Sequence, residues 1–189
     1  MATPTTLPAS FVSGAVLTAA QMNNLRGAFR VLQVVSTAKT DTFSTTTTNT
    51  WTDITGLSVT ITPSATSSKI LLFGNVNVSG SNFFASNVAV RFDGGNSGNY
   101  VGDAASSRIR AIARWYTGST VGYSQNGFFS PVYLDSPSTT SATTYKLQVF
   151  FNNPDGGGHA VYVNRTWTDT DNNGFSRFPS SITALEISA

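Results

Sequence analysis

The chain has no cysteine, one histidine (His159) and, among nine acidic residues, one glutamate (Glu186). Without cysteine there is neither a disulfide framework nor a thiolate metal site. A Ser–His–acid arrangement needs an elbow serine near the histidine. No G-x-S-x-G occurs, and Gly122-Tyr123-Ser124-Gln125-Asn126 misses the last glycine. Glycosidase chemistry needs two opposed carboxylates, and nearly all eight Asp stand beside Gly, Asn, Ser or Thr in turn-like strings. No catalytic residue, cofactor or metal is therefore expected. Charge is scarce too. Charged residues make up 11%, under half of the roughly 25% usual in globular chains. The net charge of +2 comes with no dense Lys/Arg stripe, which argues against nucleic-acid binding. No apolar run reaches 18 residues, so no membrane-spanning helix is expected. The first 30 residues lack the basic-then-apolar pattern of a signal peptide.

Hydroxyl and amide side chains fill the gap. There are 27 Thr, 24 Ser and 15 Asn in 189 residues, with 16 Gly. Threonine's branched Cβ suits a pleated strand, whereas Ser, Asn and Gly favour turns. The length fits one β-domain with a real core, and aromatics at 12% supply material to bury.

Residues 1–16, with Pro4 and Pro8, read as an extended arm. A helix start follows: Thr18 caps, Gln21 completes a capping box, and Leu17 with Met22 form a hydrophobic staple. Met22, Leu25 and Phe29 then make a narrow apolar stripe. So short a helix is marginal alone and needs its own β-domain or copies of itself as partner. Leu17, Met22, Leu25 and Phe29 are the candidate anchoring or oligomer contacts.

From residue 31 the pattern is β. Strands are expected at Val31–Ser36, Leu57–Ile61, Lys69–Ser79, Val88–Phe92, Arg108–Tyr116, Gly127–Leu134, Thr144–Phe151, Ala160–Thr166 and Ser181–Ile187, with Thr42–Thr52 extended. Asp93-Gly94-Gly95 signals a hairpin, and Asn153–Gly158 is the strongest turn, joining two alternating strands. Eight or nine strands without helical interruption predict an all-β fold. The architecture is a single β-sandwich or jelly-roll-like domain over 31–189, preceded by an arm and short helix over 1–30.

Three features could carry function. Arg108, Arg110, Ile112 and Arg114 fall on one face of a strand, opposite a core-facing set of Ile109, Ala111, Ala113 and Trp115. The arginines are a solvated face, a subunit contact or a site for anionic sugar. Phe83–Phe84 and Phe128–Phe129 are adjacent pairs, so one ring of each points away from the core and suggests a subunit contact. Asp169-Thr170-Asp171-Asn172-Asn173-Gly174 matches the first half of a calcium loop, but Ser180 stands where the closing carboxylate belongs. His159, after three glycines, reads as a polar residue at a strand start.

"SFVSGAVLTAAQMNNLRGAF" (Ser10–Phe29) resembles an N-terminal segment of phage tail-fibre and related virion proteins. "VLQVVSTAKTDTFSTTTTNTWTDITGLSVTITPSATSSKILLFGNVNVS" (Val31–Ser79) resembles the β-domain of structural proteins of cyanobacterial and marine phages, and "VYVNRTWTDTDNNGFSRFPSSITALEIS" is similar to their C-terminal strands. The resemblance implies a non-enzymatic virion component, commonly a homotrimer, made in the host cytoplasm and carried on the tail or capsid surface. It fits a short tail fibre anchored by its N-terminus that meets a host surface glycan. A capsid decoration protein is the alternative and a polysaccharide depolymerase a distant third. Its partners would be other virion proteins, with no nucleic acid and no membrane insertion. Deleting residues 1–29 is expected to leave a β-protein that melts cooperatively but no longer enters particles. Loss of the cooperative transition in circular dichroism would move the domain boundary into the helix.

Overall fold

The computed structural model describes residues 14, 16, 18, 19, 22, 31–80, 87–97, 100–116, 126–152 and 158–188. Among the described residues eleven strands follow one another: β1 Val31–Lys39, β2 Phe43–Thr45, β3 Trp51–Ile61, β4 Lys69–Gly80, β5 Asn87–Asp93, β6 Ala113–Tyr116, β7 Gly127–Phe129, β8 Val132–Asp135, β9 Thr143–Asn152, β10 Val161–Val163 and β11 Ser180–Ile187. β1, β11, β4, β10 and β2, with β7 and β8 on β4, make one sheet; β3, β9, β5 and β6 make the other.

The pairing has a simple rule. β11 and β10 succeed one another along one edge of β4, and β8 and β7 along the other. β1 and β2 likewise border β11 and β10. Three pairs of short strands thus act as three interrupted long ones, leaving eight strand positions. In chain order the first pairs the eighth, the second the seventh, the third the sixth and the fourth the fifth, all antiparallel. That is one long hairpin rolled into two facing sheets: a jelly roll. The expected all-β sandwich or jelly-roll-like fold is the one observed.

The core lies between the sheets. Alternate residues of β11 (Ile182, Ala184), β4 (Ile70, Leu72, Val76, Val78) and β9 (Tyr145, Leu147, Val149, Phe151) are buried together with Leu57, Val90 and Phe92. Removing such apolar area from water is the main favourable term, at about 25 cal/mol per Å2.

Several strands differ from expectation, each for a local reason. The Gly127–Leu134 strand is two, because Pro131 has no amide for the ladder; its carbonyl instead accepts from Gly74 N at 2.8 Å. Trp51 and Ile61 belong to one strand, bulged between Asp53 and Ser58, where Gly56 takes a φ of 86°. The Ala160–Thr166 strand stops at Val163 because Asn164 turns left-handed at φ 65°. Its side-chain amide then donates to the carbonyls of Lys39 and Asp41 at 2.8 and 2.9 Å. The Arg108–Tyr116 strand shrinks to Ala113–Tyr116: Arg108 N bonds Ala105 O and Gly102 N bonds Ala111 O, so residues 100–112 fold on themselves.

The hairpin expectation at Asp93-Gly94-Gly95 needs correction. After Asp93-Gly94-Gly95 the chain does not return as a tight hairpin, since β5 meets its partner only at Ala113. The glycines are required for another reason: both have positive φ, and a Cβ would strike the Thr144 carbonyl at Gly94 and the Asp135 carboxylate at Gly95. Asn153 to Asp155 and the first two of the three glycines lie outside the described residues; the strands on either side, β9 and β10, belong to different sheets and are not paired with each other. A turn signal reports a change of direction, not which strand is paired afterwards.

The lone glutamate closes one end of the roll. Glu186 is 1% exposed. One carboxylate oxygen accepts from Ser64 N (2.7 Å), Ser64 Oγ (2.6 Å) and Ser68 Oγ (2.6 Å), the other from Gln33 Nε2 at 2.7 Å. Burial pushes its carboxyl pKa up, but the bonds from Ser64, Ser68 and Gln33 prevail and bring it from 4.5 to about 2. A carboxyl depressed on folding stabilises fully above its unfolded value and loses that stabilisation as pH falls through the folded value. Glu186 should therefore contribute on the order of 3 kcal/mol at neutral pH, lost between pH 4.5 and about 2. Glu186→Gln is expected to be destabilised at pH 7 and to flatten the stability profile across that window in urea titrations. An unchanged profile would show that the carboxylate is not held this way.

Candidate functional site

The two sheets turn very different outer faces outward. On the β3–β9–β5–β6 sheet the outward residues bond to one another. Thr60 and Thr144 share a hydroxyl–hydroxyl bond of 2.8 Å. Lys146 Nζ and Gln148 Nε2 both donate to Asp53, at 2.8 and 2.7 Å, and Arg91 Nε donates to Gln148 at 2.8 Å. The Arg91 guanidinium lies 4.4 Å from the centre of the Trp51 ring. The bonds from Lys146 and Gln148 hold the Asp53 carboxyl below its ordinary range, and the bond to Asp53 raises Lys146. This face is cross-linked by its own polar side chains.

The outer face of the other sheet is apolar. Register places Val34, Leu185, Leu71 and Leu134 in one row across β1, β11, β4 and β8. The next row is Ser36, Thr183, Phe73 and Val132, and Ile187 and Val31 extend the patch on the other side. Val34 is 58% exposed, Leu134 51%, Val132 44% and Phe73 42%. Phe128, 61% exposed, stands further along the same face beside Asn77, while Phe129 packs on the core. With strands about 4.8 Å apart and a rise of about 3.3 Å per residue, the patch measures roughly 20 by 20 Å. That matches the largest apolar patch of a typical monomer, about 300–600 Å2, which is often functional.

Arg108, Arg110 and Arg114 are all exposed and come together, though not as one strand face: only Arg114 stands on β6. Residues 100–112 fold against the edge of β5 and β6, held by Ile112 N on Val90 O at 3.0 Å. Ile112, expected beside the arginines, packs against the core instead, with Ala113 and Trp115. A cleft of about 290 Å3 remains between excursion and sheet, lined by the three arginines, Asp103 and several alanines. Arg110 Nε donates to Gly102 O at 2.7 Å.

The loop between β10 and β11 is tied by Asp169. Its carboxylate accepts from Arg165 Nη1 at 2.9 Å and from Arg177 Nε and Nη2 at 2.8 and 2.6 Å. The Arg165 bond foremost, and the charge of both arginines, lower its pKa. Asn172 Oδ1 accepts from Gly174 N at 2.8 Å, an Asx turn. The first presumed ligand of the half calcium motif is thus already engaged by two cations, and a 330 Å3 cleft beside it is lined by Asp169, Asp171, Phe175 and Arg177. His159 is half-buried just before β10. Among the described residues no three metal-ligating side chains cluster, and no helix is long and apolar enough to cross a membrane.

Of the N-terminal candidates, Leu17, Leu25 and Phe29 lie outside the described residues, as do Phe83 and Phe84. Met22 is half exposed, and its amide donates to Thr18 O at 3.0 Å, the i to i−4 bond of a helical turn. Sequence reasoning missed the apolar outer face and Glu186. The available signal was that Glu186 shares parity with Ile182 and Ala184, which fixes it inward.

No family model and no curated protein matches the chain. It is similar to a chain in a solved structure, that of infectious bursal disease virus Gx strain, with a TM-score of 0.37 and 15% identity. The match covers 82% of this chain and 37% of that one, so the chain spans well under half of its neighbour's length.

With Asp169 committed to Arg165 and Arg177, added calcium or chelator is expected to leave the melting temperature unchanged. A ligand at a hundredfold its dissociation constant would add about 2.7 kcal/mol, readily seen in a thermal melt. A fall in chelator that calcium restores, and that Asp171→Ala abolishes, would make the loop a metal site.

Proposed function

We propose that the protein is a non-enzymatic structural subunit of a phage particle that assembles with copies of itself through the apolar outer face of the β1–β11–β4–β8 sheet. One observation carries this reading: the sandwich has one outer face bonded for water and one apolar across four strands. The jelly roll is shared by viral capsid domains, lectins and cupins, so the fold does not choose among them. The phage-like phrases at Ser10–Phe29, Val31–Ser79 and Val161–Ser188 supply the virion setting.

A second copy is the occupant that suits this face. The patch offers roughly 400 Å2, about half of the roughly 800 Å2 each partner gives to a stable interface. The N-terminal segment supplies more apolar surface, since Val16 and Met22 are exposed in the single chain and the segment runs into β1, the patch's own border strand. A closed homotrimer, with residues 1–30 docked to another virion protein, covers both. The particle-level reading is a short tail fibre, with the jelly roll as head. The compact head and its broad lateral apolar face also favour capsid decoration, and copy number in purified particles separates the two: tens or fewer for a fibre, hundreds for decoration.

The protein is expected to show a trimeric mass by light scattering at micromolar concentration. Val34→Lys with Leu134→Lys, both at exposed positions, should leave the melt of the single chain intact and shift the mass to a monomer. A monomeric wild type, or a double variant that still assembles, would overturn the assigned face.

A further inference from the structure

We propose that the cleft between residues 100–112 and the β5–β6 edge is a binding site for an acidic saccharide unit, a sugar bearing a carboxylate or sulfate, held by Arg108, Arg110 and Arg114. The site is on the sheet opposite the assembly face and does not depend on it.

The first argument is the state of the arginines. The other described arginines are committed: Arg91 to Gln148 and the Trp51 ring, Arg165 to Asp169 and the Tyr162 ring, Arg177 to Asp169. Among the described residues the three in the cleft form no ion pair, and among those same residues the one bond from their guanidinium groups is Arg110 Nε to the Gly102 carbonyl. That bond fixes the Arg110 fork while leaving its terminal nitrogens free to donate. Three arginines against Asp103 leave a local charge equal to the whole chain's net +2. An isolated excess of forked donors selects a planar or tetrahedral oxyanion.

The second argument is shape. Ala89, Ala105, Ala111 and Ala113 keep the floor low and apolar. The cross-strand row at the cleft runs Arg114, Ala89, Phe150, Trp51; Ala89 and Phe150 are buried, and the half-buried Trp51 ring is the apolar group that this row presents further along. Trp51 and Phe150 have ring centroids 5.4 Å apart. At about 290 Å3 the cleft sits at the lower end of ligand pockets, which start near 300 Å3, room for about one sugar ring. A sugar's apolar face and its acid group match floor and rim together. A nucleic-acid strand needs a basic track over several phosphates, whereas these charges are confined to one cleft.

The test is isothermal titration calorimetry of the full-length protein with trigalacturonate and a sulfated carrageenan disaccharide. Maltotriose, inorganic sulfate and a thymidine dodecamer serve as comparisons. At least one acidic sugar should bind ten or more times tighter than maltotriose and sulfate, and the triple variant R108A/R110A/R114A should weaken it at least tenfold with an unchanged melt. Single variants provide the reading if the triple one fails to fold. Val34→Lys with Leu134→Lys should bind as wild type, which separates failure of this site from failure of the assembly face. Silence from both acidic sugars, equal binding of maltotriose or sulfate, tighter binding of the dodecamer, or variants that bind unimpaired would each overturn the assignment.

Discussion

β4 is the strand on which the molecule is organised. Residues 69–80 pair along both edges, with β11 then β10 on one side and β8 then β7 on the other. A central strand tolerates no unpaired amide, because a buried backbone group without a partner costs about as much as a lost hydrogen bond. The pairs of short strands therefore have to abut with little gap, and the residues at their junctions are fixed by that need. Pro131 sits where β8 hands over to β7, and its carbonyl takes the Gly74 amide. Asn164 and Ser180 sit where β10 hands over to β11, with Asn77 N bonded to Ser180 Oγ at 3.2 Å and Asn164 N to Asn77 O at 3.1 Å.

Buried polar groups mark the ends of the roll. Glu186 gathers Gln33, Ser64 and Ser68, joining β1 and the β3–β4 loop to β11. Asp135, at the end of β8, accepts from the Tyr145 hydroxyl at 2.7 Å and from Asn96 N at 3.1 Å, fastening the turn after β5. Burial, then the bond to Asp135, raises the Tyr145 phenol pKa. Each cluster sets loop positions that apolar packing, being non-directional, leaves free. With the ends fixed, the two outer faces are free to differ. One is cross-linked by its own polar side chains, and the other is apolar across four strands.

Much was legible from residue order. The β class followed from Thr, Ser, Asn and Gly usage, and Val59/Ile61 and the Asn75–Val78 alternation located strands, since a period of two is set by backbone geometry whatever the partner. Nine segments stood for eight positions because the last position carries two of them, Ala160–Thr166 and Ser181–Ile187. One failure fell at Asp93–Gly95, where partner choice is a long-range property. Another fell at Arg108–Ile112, where local turns displace a segment whose alternation suits a strand.

The sequence by itself determined the class of the fold and the approximate places of most of its strands, because side-chain alternation and turn chemistry are local. Only the tertiary structure decided which strands meet, and so which apolar residues stay outside. Val34, Leu71, Leu134 and Leu185 sit far apart in the chain and look like any core residues there. They become one surface because the registers of β1, β11, β4 and β8 align them on the side away from the second sheet. The same holds for the arginines, whose convergence on Ala89 depends on the edge pairing of β5 with β6.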